Sequence, residues 1–204
     1  MTLSYLKDER FYLRRLAAFS LNYVRRYFAR DRFVPRPQPR LSLETTNVCN
    51  AKCVFCANPV MRRRKQPMGM EEFKKAVDEF VAMGGHVIDF NVTIGDPLLD
   101  PNLLERAKYV SRFPQFASLG FVTTLQWLHR FDIDEFFASG INWLSISTSL
   151  SGRESYREFF GVDKYDQMLS NLITLLVENR KRDRKIAVMI NIKPTNESIE
   201  KVVH

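Results

Sequence analysis

The sequence predicts an α/β fold, a parallel sheet covered by helices and preceded by an N-terminal amphipathic helix. Three observations lead there. From residue 41 onward, short runs rich in Val, Ile and Phe alternate with longer stretches of helical periodicity. Such alternation builds right-handed parallel crossover units. Pro35, Pro37 and Pro39 alternate in a stiff extended connector, which separates a first region, 1–40, from a second, 41–204. Finally, the three cysteines of the chain, Cys49, Cys53 and Cys56, all fall in the loop after the first strand. That is the carboxyl edge, where sheets of this kind bind ligands.

Composition narrows the class. The 204 residues are 45% hydrophobic and 26% charged, enough for one globular core with an appendage. No apolar run reaches the roughly 18–20 residues of a membrane span, and the charged N-terminal region does not read as a signal peptide. The net charge of +8 concentrates in the first 40 residues and in Arg62, Arg63, Arg64 and Lys65, while the remainder is mixed. That distribution argues against a plain nucleic-acid binder, and no specific nucleic acid is expected. Clustered cysteines do not form a disulfide framework, so a reduced cytoplasm is the natural setting.

Taken in order, residues 1–32 read as a helix or helix pair, with Leu6, Leu13, Leu16, Ala17, Val24, Tyr27 and Phe28 on one apolar face. A basic amphipathic helix can lie on an anionic membrane as a peripheral contact; the favoured reading packs it on the following domain. Strand one is expected over 41–46 and a helix over 70–83, the latter with Phe73, Ala76, Val77, Phe80 and Val81 inward and Gly84-Gly85 at its end. Strand two is expected over 86–94, a helix over 101–113, strand three over 119–124 and a short helix over 132–139 ended by Gly140. Strand four follows over 143–150. Residues 154–181 are mostly helical, with Leu169, Leu172, Ile173 and Leu176 on the inner face. Strand five covers 185–193 and a last helix starts at 197.

The cysteine loop carries the chemistry. Thiolates spaced three and then two residues apart can converge on a soft metal centre. A closed zinc site takes four protein ligands, as does an ordinary four-iron cluster, so three thiolates would leave one iron open. Buried free thiols, redox-sensing cysteines and a zinc loop completed by a distant histidine are the competing readings. His86, His129 and His204 have no metal-pair spacing.

CxxxCxxC with Phe55 before its last cysteine, on the loop after a first strand, resembles the signature of the radical S-adenosylmethionine (radical SAM) superfamily. The resemblance covers residues 40–204 and implies a partial barrel of six strand–helix units, with helices outside. Five units are counted here, so the chain is expected to be a fragment, a truncated product or one needing a partner. Relatives with a SPASM-type core carry further cysteines for auxiliary clusters, and none remain here for that role. The resemblance also implies a [4Fe-4S] cluster on Cys49, Cys53 and Cys56, with S-adenosyl-L-methionine chelated by the open iron and cleaved to a 5′-deoxyadenosyl radical. A small-molecule or peptide substrate and an electron donor such as flavodoxin or ferredoxin would complete the reaction.

Further residues follow from the same resemblance. Gly95 and Asp96 stand where the family holds the cofactor's amino group; Ile94 replaces a glycine, and Asp96 is one methylene shorter than the usual glutamate. Ser149 and Ser151 stand where polar side chains reach ribose or carboxylate, with Ser151 in the place of a common aspartate. Phe55 belongs to the cofactor-binding set, and Asn191 or Lys193 would face the cofactor. Thr123-Thr124-Leu125-Gln126 replaces a threonine, asparagine and glycine pattern, a departure that bears on substrate. The basic run at 62–65 would contact an acidic group or form a solvated loop. The rival to an enzyme is a non-catalytic or degenerate iron–sulfur or metal-binding module; a third reading is a basic peripheral-membrane adaptor.

Overall fold

The computed structural model describes residues 16–21, 23–24, 27–28, 39–90 and 94–192. The chain divides into two units, Met1–Arg36 and Pro37–His204. In the first, the described residues are helical, and Leu16, Val24, Tyr27 and Phe28 are exposed. The rest of that expected helix, Pro35 and Pro37 of the connector, and the helix expected from 197 lie outside the described residues.

The second unit is built on five strands: β1 (Arg40–Ser42), β2 (Val87–Asp89), β3 (Ser118–Thr123), β4 (Trp143–Thr148) and β5 (Ala187–Ile192). They pair in sequence order, and every pairing is parallel. Among the described residues five α-helices connect or flank them: α1 (Met70–Ala82), α2 (Leu103–Val110), α3 (Ile133–Ala138), α4 (Arg153–Phe160) and α5 (Tyr165–Lys181). This is the expected α/β architecture, a partial barrel: among the described residues, four strands are each followed by a helix or helix pair, and β5 adds a fifth strand.

The pleat separates the two faces of the sheet. Ile88, Leu119, Phe121, Leu144 and Ile146 are buried, and with Phe73, Val77 and Phe80 of α1 they belong to one apolar core. Phe73 meets Phe90 edge-on at 5.6 Å. In register on the other face run Ser42, Asp89 and Gly120, with Ser145 beside Val122. Trp143, opposite Gly120, and Met189, opposite Ser145, share that face, so it is mixed in character.

Strand two, expected over 86–94, is shorter: β2 covers Val87–Asp89, and 91–93 lie outside the described residues. Two further expectations change. Strand one was expected over 41–46, but the ladder ends at Ser42. Beyond Leu43, whose N–H still reaches Asp89 O at 2.9 Å, the chain leaves β2 and is gripped by the returning loop. Met68 N–H donates to Thr45 O at 2.8 Å, and Thr46 bridges Pro67 in antiparallel fashion. The second concerns the inner face of 154–181, a stretch that is mostly helical as expected. Gly161, in the left-handed region at φ 65°, splits it into α4 and α5. The buried stripe of α5 is Met168, Asn171, Leu172, Leu175 and Asn179, while Ile173 and Leu176 are exposed. Asn171 and Asn179 explain the rotation, because each is buried only where it meets backbone: Asn171 donates to Leu125 O at 2.7 Å, and Asn179 bonds Ile186 in both directions.

A fully buried ion pair braces the returning loop. Arg106 Nε donates to Asp100 Oδ2 at 2.8 Å with both side chains inaccessible. The same guanidinium donates to Met68 O and lies 4.8 Å over the Phe73 ring. The segment that holds Thr45–Thr46 is thereby anchored to α2.

Candidate functional site

The carboxyl ends of β1 to β4 bring four loops together, and the cysteine loop is held from two sides. On one side it leans on the end of α4: Lys52 N–H donates to Phe160 O at 2.9 Å, and Val54 N–H to Phe159 O at 3.0 Å. These are orphan carbonyls of a helix terminus, so the loop supplies donors the helix lacks. Phe55 meets Phe160 edge-on at 5.8 Å and is half exposed. On the other side, Asn50 Nδ2 donates to Gln126 Oε1 at 2.6 Å, Gln126 Nε2 to Tyr156 Oη at 2.7 Å, and Trp127 Nε1 to Asn50 Oδ1 at 2.8 Å. Gln126 and Tyr156 are buried, so this relay is rigid.

Gly95 and Asp96 are sutured to the start of the cysteine loop. Asp96 N–H donates to Val48 O at 2.9 Å. Gly95 adopts φ 100°, and a Cβ there would lie 2.0 Å from Thr46 O. The glycine is required by the protein's own backbone. Asp96 is buried, and its carboxylate accepts four hydrogen bonds: from Thr123 Oγ1 (2.7 Å) and Leu98 N–H (3.1 Å) at Oδ1, and from Thr124 N–H (3.0 Å) and Oγ1 (2.7 Å) at Oδ2. Those bonds fill the lone-pair sites of a carboxylate. They also give Thr123 and Thr124 a role that sequence alone did not reveal.

After β4, Ser149, Ser151 and Ser155 form a triangle of hydroxyls with edges of 2.8–3.0 Å. Ser149 is buried and Ser151 partly exposed at the start of α4. Asn191 donates across the sheet to Ser145 Oγ, whereas Lys193 lies outside the described residues. Of the basic run, Arg63 pairs with Glu44 at 2.8 Å, and Arg63 and Arg64 line an open cleft with Asn47 and Gln66.

The electrostatics tie the cysteines to one another and to Asp96. Burial pushes the Cys49 thiol up to about 11, with the Asp96 carboxylate adding to the effect while the Ala51 backbone N–H and Lys65 oppose it. Burial likewise pushes Cys53 up to about 12, reinforced by Cys49 and Cys56. Burial also raises the Tyr156 phenol, with Asp96, Cys53 and Cys49 contributing and the Gln126 hydrogen bond opposing. All three cysteines are free thiols. Among the described residues no three His, Cys, Asp or Glu side chains close around a single ion. The donor set nonetheless suits a multi-iron cluster, in which each soft sulfur binds its own iron and the cationic metal offsets the like-charge repulsion.

A parallel sheet covered by helices, with three free thiols on one loop at its carboxyl edge, places the chain in the α/β partial-barrel class. The chain belongs to the Radical SAM superfamily, whose family profile matches residues 43–204. Membership brings the [4Fe-4S] cluster and S-adenosylmethionine as cofactors. Among relatives, the GTP 3′,8-cyclase of Actinobacillus pleuropneumoniae serotype 5b is 26% identical over 145 residues, covering 70% of this chain and 42% of that protein. The PqqA peptide cyclase of Bradyrhizobium diazoefficiens is 28% identical over 106 residues, covering 52% of this chain and 27% of its own length. The chain therefore spans about two fifths of the first of these relatives and less of the second.

Solved structures agree in fold. Streptococcus suis SuiB bound to its precursor peptide superposes with a TM-score of 0.59 at 16% identity, covering 83% of this chain and 37% of that one. Methylornithine synthase (PylB) gives 0.53 at 19% identity, covering 79% and 47%. BtrN in complex with AdoMet gives 0.51 at 19% identity, covering 75% and 56%.

Proposed function

We propose that this chain is the core of a radical SAM enzyme acting on a small-molecule or peptide substrate yet to be identified. When bound, the reduced cluster supplies the electron that cleaves S-adenosylmethionine to a 5′-deoxyadenosyl radical, which abstracts hydrogen from that substrate. The observation that carries the reading is the gathering of Cys49, Cys53 and Cys56 within eight residues of one braced loop, where the Cys49 and Cys56 thiols both raise Cys53. Three thiols leave one iron without a protein ligand.

The chain's own residues would divide the work. Cys49, Cys53 and Cys56 hold the cluster, and Phe55 flanks it. With both oxygens of Asp96 engaged internally, Asp96 fixes the 94–97 segment, and the backbone around Gly95 meets the methionine end of the cofactor. Ser149 and Ser151 offer hydroxyls to its ribose or carboxylate, and the Asn50–Gln126–Tyr156 relay keeps the loop from shifting. A one-electron donor of the flavodoxin or ferredoxin kind would reduce the cluster, and a reducing, cytoplasmic setting is part of the same proposal. Among the described residues no helix is long and apolar enough to cross a membrane.

The test is anaerobic reconstitution with iron and sulfide, read by electron paramagnetic resonance of the reduced protein with and without S-adenosylmethionine. A four-iron signal that shifts with the cofactor and is lost in Cys53→Ala is the expected result. A cluster indifferent to the cofactor would mean a metal-binding module without this chemistry. Retained zinc in place of iron would overturn the reading.

A further inference from the structure

The cysteine loop carries an exposed surface beside the candidate site. Val54 is 71% exposed between two of the cysteines, and Lys52 beside it is exposed as well. Next to them stands Trp127, half buried, its indole N–H bound to Asn50, the residue that follows Cys49. Two cations sit on that ring: Lys164 Nζ is 5.5 Å and the Arg130 guanidinium 5.6 Å from its centroid. The patch is continuous, because Gly161, three residues before Lys164, packs so closely on Lys52 that a Cβ at the glycine would lie 2.8 Å from the lysine's Cβ and carbonyl oxygen.

Among the described residues, Lys52, Arg130 and Lys164 form no ion pair. The nearby carboxylates Asp163 and Asp166 are both engaged by Arg153. An aromatic and aliphatic centre with a cationic rim is the composition of a transient docking face for an anionic partner, where charge sets the encounter rate and the apolar centre the fit. Its place is equally specific. The Trp127 ring is one hydrogen bond and one residue from a cluster ligand, and Val54 adjoins another.

We propose that Lys52, Val54, Trp127, Arg130 and Lys164 form the docking face for a small acidic one-electron carrier protein that reduces the cluster. This rests on the function proposed above and adds the place and the charge of the partner. The step is a one-electron transfer: the carrier is oxidised by one electron, the cluster is reduced by one, and no bond is made or broken at the interface.

The experiment follows bleaching of the reconstituted cluster in anaerobic stopped flow, with reduced flavodoxin as donor and photoreduced 5-deazariboflavin, small and uncharged, as control. Arg130→Glu and Lys164→Glu should each slow reduction by flavodoxin about tenfold at low ionic strength, with the difference fading in high salt. Both variants should match wild type with deazariboflavin, and Lys108→Glu, a surface change on α2, should match it with both donors. Equal flavodoxin rates in all proteins would overturn the proposal, as would an equal loss with the uncharged reductant. Calorimetric titration of flavodoxin into the protein before iron loading tests the face without the cluster. Salt-sensitive binding weakened by both substitutions supports it, and binding indifferent to them overturns it. Failure to form any cluster would count against the proposed function and leave that titration decisive for the face.

Discussion

Asn50 and Gln126, 76 positions apart, share a 2.6 Å hydrogen bond that ties the cysteine loop to the end of β3. Gln126 is buried and spends its amide hydrogen on the Tyr156 hydroxyl at 2.7 Å, so α4 joins the same relay. Replacing Gln126 by Leu leaves the Tyr156 hydroxyl and the Asn50 amide without these partners. Each buried polar group stranded in this way costs about 1–3 kcal/mol. Gln126→Leu is therefore expected to lower unfolding stability by about 2 kcal/mol and to reduce iron retained after reconstitution, while Gln126→Glu keeps the acceptor for Asn50 and retains more. Urea unfolding and iron analysis check both. Iron content equal to wild type in Gln126→Leu would show that the loop does not depend on the relay.

Gly95→Ala tests the suture between β2's loop and the cysteine loop. The substitution meets two obstacles, a positive φ of 100° and a Cβ placed 2.0 Å from Thr46 O. Strain of the first kind alone costs roughly 1–3 kcal/mol, and the contact with backbone adds to it because no side chain can rotate away. A loss of about 2 kcal/mol or more corresponds to a fall in Tm of roughly 4–8 °C for a chain of this size. Differential scanning calorimetry of the metal-free protein measures it. An unchanged Tm would mean that Thr46 and the 94–97 segment separate freely.

Asp96→Asn should be destabilising before any cofactor is added. Each oxygen of Asp96 accepts two hydrogen bonds, and both receive a backbone N–H: Leu98 at Oδ1 and Thr124 at Oδ2. An asparagine must therefore turn its amide N–H group toward one of two backbone donors, stranding it at about 1–3 kcal/mol. Thermal unfolding of the metal-free variant reads this. Wild-type stability would return Asp96 to the position of a side chain held in reserve for ligand.

The order of strands and helices was legible because periodicity is local: Phe73, Val77 and Phe80 repeat at helical spacing and are buried together in α1. The cysteine loop was legible for the same reason, with three cysteines inside eight residues. What escaped depends on contacts between distant segments. Nothing near Asp96 in sequence reveals that Thr123 and Thr124, 27 and 28 positions away, occupy its carboxylate. Leu125 adopts φ 60°; its place is kept by the Thr123 hydroxyl and by Asn171, 46 residues on. The inner face of α5 was read from its aliphatic residues, but Asn171 and Asn179 set its rotation through bonds to Leu125 and Ile186.

Arg106 offers the sharpest separation of charge from packing. Its pair with Asp100 is wholly inaccessible, and the guanidinium also binds Met68 O, so one side chain braces both α2 and the loop that pairs with Thr45 and Thr46. Arg106→Met keeps much of the volume but leaves Asp100 charged and unpaired, a change that costs about 3–5 kcal/mol for buried pairs. Asp100→Asn alone retains an acceptor for the Asn102 N–H, which now binds Oδ1 at 3.0 Å, yet strands the guanidinium. The double variant removes both charges together, and a buried ion pair replaced as a unit is often close to neutral. Its loss should fall well below the sum of the single losses, by at least about 2 kcal/mol of coupling in a double-mutant cycle. The brace to Met68 is lost in every protein lacking the guanidinium. Arg106→Met and the double variant should therefore share faster amide exchange at Met68, whose N–H pairs with Thr45 O, even where global stability recovers. Strict additivity of the two single losses would show that the pair is not coupled, and unchanged exchange at Met68 would show that the loop is held without Arg106.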